Sequence, residues 1–446
     1  MNIREKKVKK LKALTALLAA VMLSGCSMGV SVENLLIPPK LDEQQNEIYQ
    51  ALISSTGSGI SLKYPKSGDH RSAFVVTNID NEPSDEAMVF YTSDSVQAGE
   101  AGLRMKVLDQ YDGRWQAVYD IACMGSEVES LGFTNIGEGD NHDIIIRYTM
   151  LNQTEKTFSV LNYSDGIIKE LYSSLYSCLE VVDLNSDGYN ELITVVPDKT
   201  TGSTFAMMFG RDGRSLNKLS QVELTGAHAE VVHVGTGKVG DDVPALYIDY
   251  SRGQGQYGTD VLYCHSGHLI CPDSGMIGRF SNNYTADLAS ADIDSDGYME
   301  MPGMTPLPGY ETLPRNEQLC AVQWYGVTAH TVTQEHYGYY SSKYSFALMF
   351  PNRWYGVVTA VPNLLENEII FISYDSATGL EVNETNELMR IKIVDKGDKE
   401  SQKAATGMTL IGANVDSLYY CYQTDANAAA KLALSMSELQ DSFILL

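Results

Sequence analysis

The 446-residue chain has no apolar run long enough to cross a bilayer, which takes about 20 residues. Its longest, Ala13 to Leu23, is about half that length. A protein with several membrane-spanning helices is excluded. Positive charge is scarce: 32 Lys and Arg stand against 57 Asp and Glu, a formal net charge of −25. That balance repels nucleic acid and anionic lipid surfaces and leaves multivalent cations as the natural ligands. Cysteine is scarce too, with 7 in all. Beyond Cys26 they are Cys123, Cys178, Cys264, Cys271, Cys320 and Cys421, and their spacing is not that of a disulfide framework. Only Cys264 and Cys271 are close. They flank the turn-like His265-Ser266-Gly267-His268, where a disulfide and two free thiols are both open readings. Catalytic signatures are missing as well. There is no His-Glu-x-x-His, no Gly-x-Ser-x-Gly and no Cys-x-x-Cys. Gly235-Thr236-Gly237-Lys238 lacks the spacing of a phosphate-binding loop. An enzyme is therefore the less favoured reading, and only the fold could assemble an active site. With 44% hydrophobic and 20% charged residues, the composition is that of a globular protein, not of a disordered or collagen-like chain.

The start of the chain reads as an address. Arg4, Lys6, Lys7, Lys9, Lys10 and Lys12 precede the short apolar run, which ends in Leu23-Ser24-Gly25-Cys26. A basic segment followed by a short apolar one is the pattern of a secretory signal peptide, here residues 1–25. The tetrapeptide resembles the lipobox of bacterial lipoproteins. The resemblance implies cleavage before Cys26, a diacylglyceryl group on its thiol, and attachment to the outer face of the cell membrane. A short anchor helix and an ordinary cleaved signal are the alternatives. Two acyl chains suffice for stable anchoring. Loss of residues 1–25 removes six basic residues and one acidic residue, leaving a mature net charge of −30.

Residues 26–72 read as a tether containing a short helix. Leu41, Ile48, Tyr49, Leu52 and Ile53 fall on one helical face after Pro38-Pro39. From residue 73 the pattern changes to short alternating strands broken by acidic loops. Asp183-Leu184-Asn185-Ser186-Asp187-Gly188-Tyr189-Asn190-Glu191 and Asp292-Ile293-Asp294-Ser295-Asp296-Gly297-Tyr298-Met299-Glu300 are two clear copies of one loop. Partial copies start at Asn78 and Asn135, and the weakest runs from His233 to Asp242. Spacing of roughly fifty residues, with room for about four strands per unit, predicts a mainly β fold, specifically a β-propeller with about five visible repeats over residues 73–335. An array of β-sandwiches and a β-solenoid are the alternatives. The loops are similar to FG-GAP and VCBS-type repeats, which also build integrin α propellers. Residues 336–446 read as a small α+β domain. The segment Phe346 to Trp354 resembles the start of domains of the PsbP/Mog1 type. A further propeller blade followed by a C-terminal helix is the alternative.

The two clear loops carry the specific chemistry. Oxygens at the first, third, fifth, seventh and ninth places, with glycine at the sixth, suit a hard divalent cation. Asp183, Asn185, Asp187, the carbonyl of Tyr189 and Glu191 make one predicted Ca²⁺ site. Asp292, Asp294, Asp296, the carbonyl of Tyr298 and Glu300 make the other. The twelfth places are Thr194 and Gly303, so an EF-hand is excluded. In the Asn78 copy Pro83 replaces the glycine, and in the Asn135 copy Gly137 and Gly139 replace ligands, so weak or no binding is expected there. Acidic turns that cap only their own backbone would look alike in sequence. The expected function is a lipid-anchored extracellular binding or adhesion module for a protein or glycan. An exported enzyme acting on glycans and an envelope assembly scaffold are the alternatives.

Overall fold

The computed structural model describes residues 41–446 except 81, 94–101, 140–141, 151–154, 165–166, 199, 214, 225–229, 273–283, 286–287, 329–330 and 425–430. The lipobox and Cys26 lie outside the described residues. The fold is mainly β, with six antiparallel sheets among the described residues. Helix α1 (Glu43–Thr56) comes first, capped by Asp42, whose carboxylate takes the Gln45 N–H while the Gln45 side chain accepts from the Asp42 N–H. The first sheet holds β1 (Ile60–Lys63), β2 (Phe74–Thr77), β3 (Glu86–Ser93), β4 (Leu103–Tyr111) and β5 (Arg114–Ala122). The second holds β6 (Glu127–Thr134), β7 (Asp143–Thr149), β8 (Lys156–Ser164) and β9 (Ile167–Tyr176). The third holds β10 (Cys178–Val182), β11 (Glu191–Pro197), β12 (Thr204–Asp212) and β13 (Ser215–Leu224). The fourth holds β14 (Val231–Val239), β15 (Val243–Gly253), β16 (Gln256–His265) and β17 (His268–Ile270). The fifth begins with β18 (Met301–Pro306), β19 (Cys320–Val327), β20 (Val332–Ser341) and β21 (Phe346–Met349). The sixth holds β22 (Val358–Asn363), β23 (Glu368–Ser373), β24 (Glu387–Asp395), β25 (Thr409–Ala413) and β26 (Ser417–Gln423), with α2 (Lys399–Ala404) between β24 and β25. Helix α3 (Met436–Ser442) then leads into β27 (Phe443–Leu445), which pairs with β21 on the edge of the fifth sheet.

Successive sheets pack face to face because strand side chains alternate between faces. In β7, Ile144 and Ile146 pack toward the first sheet while Ile145 packs toward the third. In β11, Leu192 faces the second sheet, and Ile193 and Val195 face the fourth. In β15, Leu246 and Ile248 face the third sheet, and Ala245 and Tyr247 face the fifth. Runs buried on both faces are what such double-sided packing requires. The far face of the first sheet is covered by Ile48 and Leu52 of α1, against Val89, Leu108 and Trp115.

The segment taken as a tether joins the folded body from Glu43 onward: α1 packs on the first sheet, and β1 pairs with β3. The apolar stripe read as one helical face is what drives that docking. The weakest loop copy is no loop, since residues 233–239 lie in β14 and Asp241 and Asp242 form the turn after it. Cys264 and Cys271 are not disulfide-bonded and pack at the edge of a hydrophobic cluster. Cys264 stands opposite Leu269 in the β16–β17 ladder, not opposite Cys271. The boundary drawn between residues 335 and 336 falls inside β20. One hydrophobic cluster joins Ala321, Tyr337 and Phe346 of the fifth sheet to Phe371, Ile391 and Tyr419 of the sixth. Among the described residues no helix is long and apolar enough to cross a membrane.

Candidate metal sites

The two clear loops each lead into a strand: β11, the second of the third sheet, and β18, the first of the fifth. Residues 183–190 join β10 to β11, and residues 292–300 lead into β18. The chain turns back within nine residues because two positions adopt left-handed backbone. These are Ser186 and Gly188 in one loop (φ 62° and 92°) and Ser295 and Gly297 in the other (φ 63° and 93°). Glycine at the sixth place accepts such angles without a Cβ penalty.

The hydrogen bonds of the two loops match. Asp183 accepts from the backbone N–H of Asp187 (3.2 Å) and Gly188 (2.9 Å). Asp292 accepts from Asp296 (3.0 Å) and Gly297 (3.0 Å). The fifth-place carboxylates take the seventh N–H: Asp187 from Tyr189 and Asp296 from Tyr298, both at 2.8 Å. The ninth-place acid reaches back to the second N–H: Glu191 accepts from Leu184 and Glu300 from Ile293, both at 3.0 Å. Each loop brings three carboxylates together with ligand atoms within 4.8 Å of one another: Asp183, Asp187 and Glu191 in one, and Asp292, Asp294 and Glu300 in the other. Asp296 lies outside the second group. Asn185 donates through Nδ2 to Asp187 (3.0 Å) and Glu191 (2.8 Å). Tyr189 is exposed, and the Tyr298 hydroxyl lies 3.4 Å from Asp242.

Burial raises the ninth-place acids most, and the neighbouring carboxylates add to it. Glu191 is pushed up to about 7, with Asp187 and Asp183 contributing. Glu300 is pushed up to about 8, with Asp294, Glu335 and Asp296 contributing. Glu300 is wholly buried, and its Oε1 has no hydrogen-bond partner among the described residues. A buried, unpartnered carboxylate oxygen beside two more carboxylates fits a cation as the missing partner.

The two partial copies keep the back-reaching bond but not the carboxylate group. Glu86 accepts from Ile79 N–H (2.8 Å), and Asp143 accepts from Ile136 N–H (3.1 Å). In the second of these the Arg211 guanidinium pairs with Asp143, both being buried. A fixed side-chain cation thus stands on the carboxylate where the clear copies have none.

Sequence reasoning missed Arg211, which reaches Asp143 from another sheet. It also missed Glu335 and His336 on β20, which face the second clear loop. His336 Nε2 lies 3.0 Å from Asp294, and burial raises Glu335, with Asp296 and Asp294 adding to it. No local spacing signals either contact.

No family model matches the chain, and no curated protein matches it. Among solved structures it is similar to a hypothetical selenium-binding protein from Sulfolobus tokodaii, at 12% identity and TM-score 0.28, over 46% of this chain and 55% of that one. The chain thus spans about half that protein's length. It is also similar to proteins described as 6-phosphogluconolactonases. The one from Bacteroides fragilis matches at 13% identity and TM-score 0.23, over 72% of this chain and 92% of the other. The one from Bacteroides uniformis matches at 12% identity and TM-score 0.27, over 72% and 93%. Likenesses this distant assign no activity.

Proposed function

We propose that this protein is an exported, lipid-anchored binding module in which successive sheets form the blades of a β-propeller and two Ca²⁺ ions pin the corners of two blades. The observation that carries the reading is the convergence of three carboxylates in each clear loop, with Glu300 Oε1 buried and unpartnered. Hard oxygen ligands in a short, flexible strand–loop–strand corner suit Ca²⁺ better than softer metals. The ions serve structure, not chemistry. The Asp183 loop follows the end of β10 at Val182, while the open groove over β10 lies at its start, at Cys178 to Glu180. Anchoring rests on the leader and Cys26, and the ligand is a protein or a glycan.

Thermal unfolding in EDTA and in millimolar calcium tests this. Metal that binds only the folded state adds RT ln(1 + [Ca²⁺]/Kd), about 2.7 kcal/mol per site at a hundredfold excess over Kd. Extracellular sites bind at roughly 10⁻⁴ to 10⁻³ M, so the melting temperature should rise only in millimolar calcium. An identical melting temperature in both buffers contradicts the reading.

A further inference from the structure

Asp249 in β15 is wholly buried and gathers hydrogen bonds from several sides. The Tyr284 hydroxyl donates to it (2.6 Å), as do Thr259 Oγ1, the Ser290 N–H (2.9 Å) and Ser290 Oγ (2.9 Å). The remaining contact is His233 Nδ1 at 2.8 Å. His233 stands directly across the ladder from Asp249, just after a register shift between Val231 and His233. Such bulges re-aim side chains. Its side chain is 43% exposed, against 0% for Asp249. A carboxylate held by this many donors accepts from Nδ1–H. In the neutral ring that leaves the Nε2 lone pair outward. Nε2 has no hydrogen-bond partner among the described residues.

His233 lines an open groove of about 720 Å³ over the first strands of three consecutive sheets, β6, β10 and β14. Glu129 and Glu180 offer acceptors along it, Arg147 and Lys156 offer donors, and Tyr176 offers a ring. Arg147 is fixed by its bond to the Leu179 carbonyl (2.8 Å). Neither charge sign dominates the lining, which disfavours a strongly ionic ligand. Hydroxyl groups both donate and accept, so they can satisfy such a mixed wall.

We propose that this groove is the ligand site of the molecule, that it takes a hydroxyl-rich, saccharide-like ligand, and that His233 Nε2 accepts a hydrogen bond from a ligand hydroxyl, with Asp249 as the residue that positions the ring. This rests on the binding-module reading above. The test is calorimetric titration of the full chain with glucose, galactose, mannose, N-acetylglucosamine and their disaccharides. At least one of these should bind. His233→Ala should weaken that binding by about tenfold or more, a loss of about 1.4 kcal/mol. His233→Gln, which keeps an acceptor oxygen, should retain part of it. The exposed Lys218→Ala on β13 should bind as the parent does. His233→Ala also removes a donor from the buried Asp249 and should lower the melting temperature, so binding is compared where each variant is folded, and retention by His233→Gln, which keeps a donor for Asp249, separates a ligand contact from a structural one. Binding by none of the sugars overturns the ligand class, and undiminished binding by His233→Ala overturns the site. Calcium binding is measured separately, so either reading can fail while the other stands.

Discussion

Asp143 is wholly buried, and the Arg211 guanidinium meets its charge. Removing one partner of a buried pair strands the other, which costs about 3–5 kcal/mol. Arg211→Ala should lower unfolding stability by that amount in a denaturant titration. Arg211→Met with Asp143→Asn, which leaves no charge behind, should recover most of it. Glu86 poses the same problem without a cation. Burial comes first, with Asp80, Asp109 and Asp85 adding to it, and its pKa rises from 4.5 to about 7. Because the folded value is the higher one, the protonated form contributes stability that is fully present below pH 4.5 and lost as pH rises through about 7. Relative to the parent, Glu86→Gln should therefore gain stability over that interval in calcium-free buffer. A difference between the two that does not change with pH would contradict the assignment. The loop acids were legible in the sequence because their spacing is local. Arg211 was not, because its partner lies in another sheet.

At the scale of elements, the strand pattern was readable because runs such as Ile144-Ile145-Ile146 must bury both faces. The capping of α1 and α3 was latent in Asp42 with Gln45 and in Ser435 with Glu438. The docking of α1 and the return of β27 to β21 were not readable, because each pairing joins segments whose local patterns say nothing of the partner. The Phe346 to Trp354 segment is a case in point. It was read, by resemblance, as the start of a separate small domain, and in the structure it forms the joint of the fifth and sixth sheets. Trp354 is wholly buried, 5.1 Å from the Phe350 ring and 6.0 Å from Phe371. Its indole N–H donates to the Leu432 carbonyl at 2.6 Å. Trp354→Ala should cost about 3–5 kcal/mol in chemical unfolding. A loss below about 1 kcal/mol would mean that this joint is not part of the cooperative core.

For the whole molecule, the excess of acid over base is the property that the proposed calcium sites would answer. A chain at −25 gains from any site that draws in multivalent cations, and the structure gathers carboxylates at two places and neutralises a third with arginine. Only the spacing of two loops was needed to foresee the first two. The measurement that tests this most directly is the number of calcium ions bound per chain, by calorimetry in a calcium-free background. The account predicts two, at roughly 10⁻⁴ to 10⁻³ M. It predicts one for Asp187→Ala and one for Glu300→Gln, each variant remaining folded. No bound calcium, or a count that these substitutions leave unchanged, would contradict it.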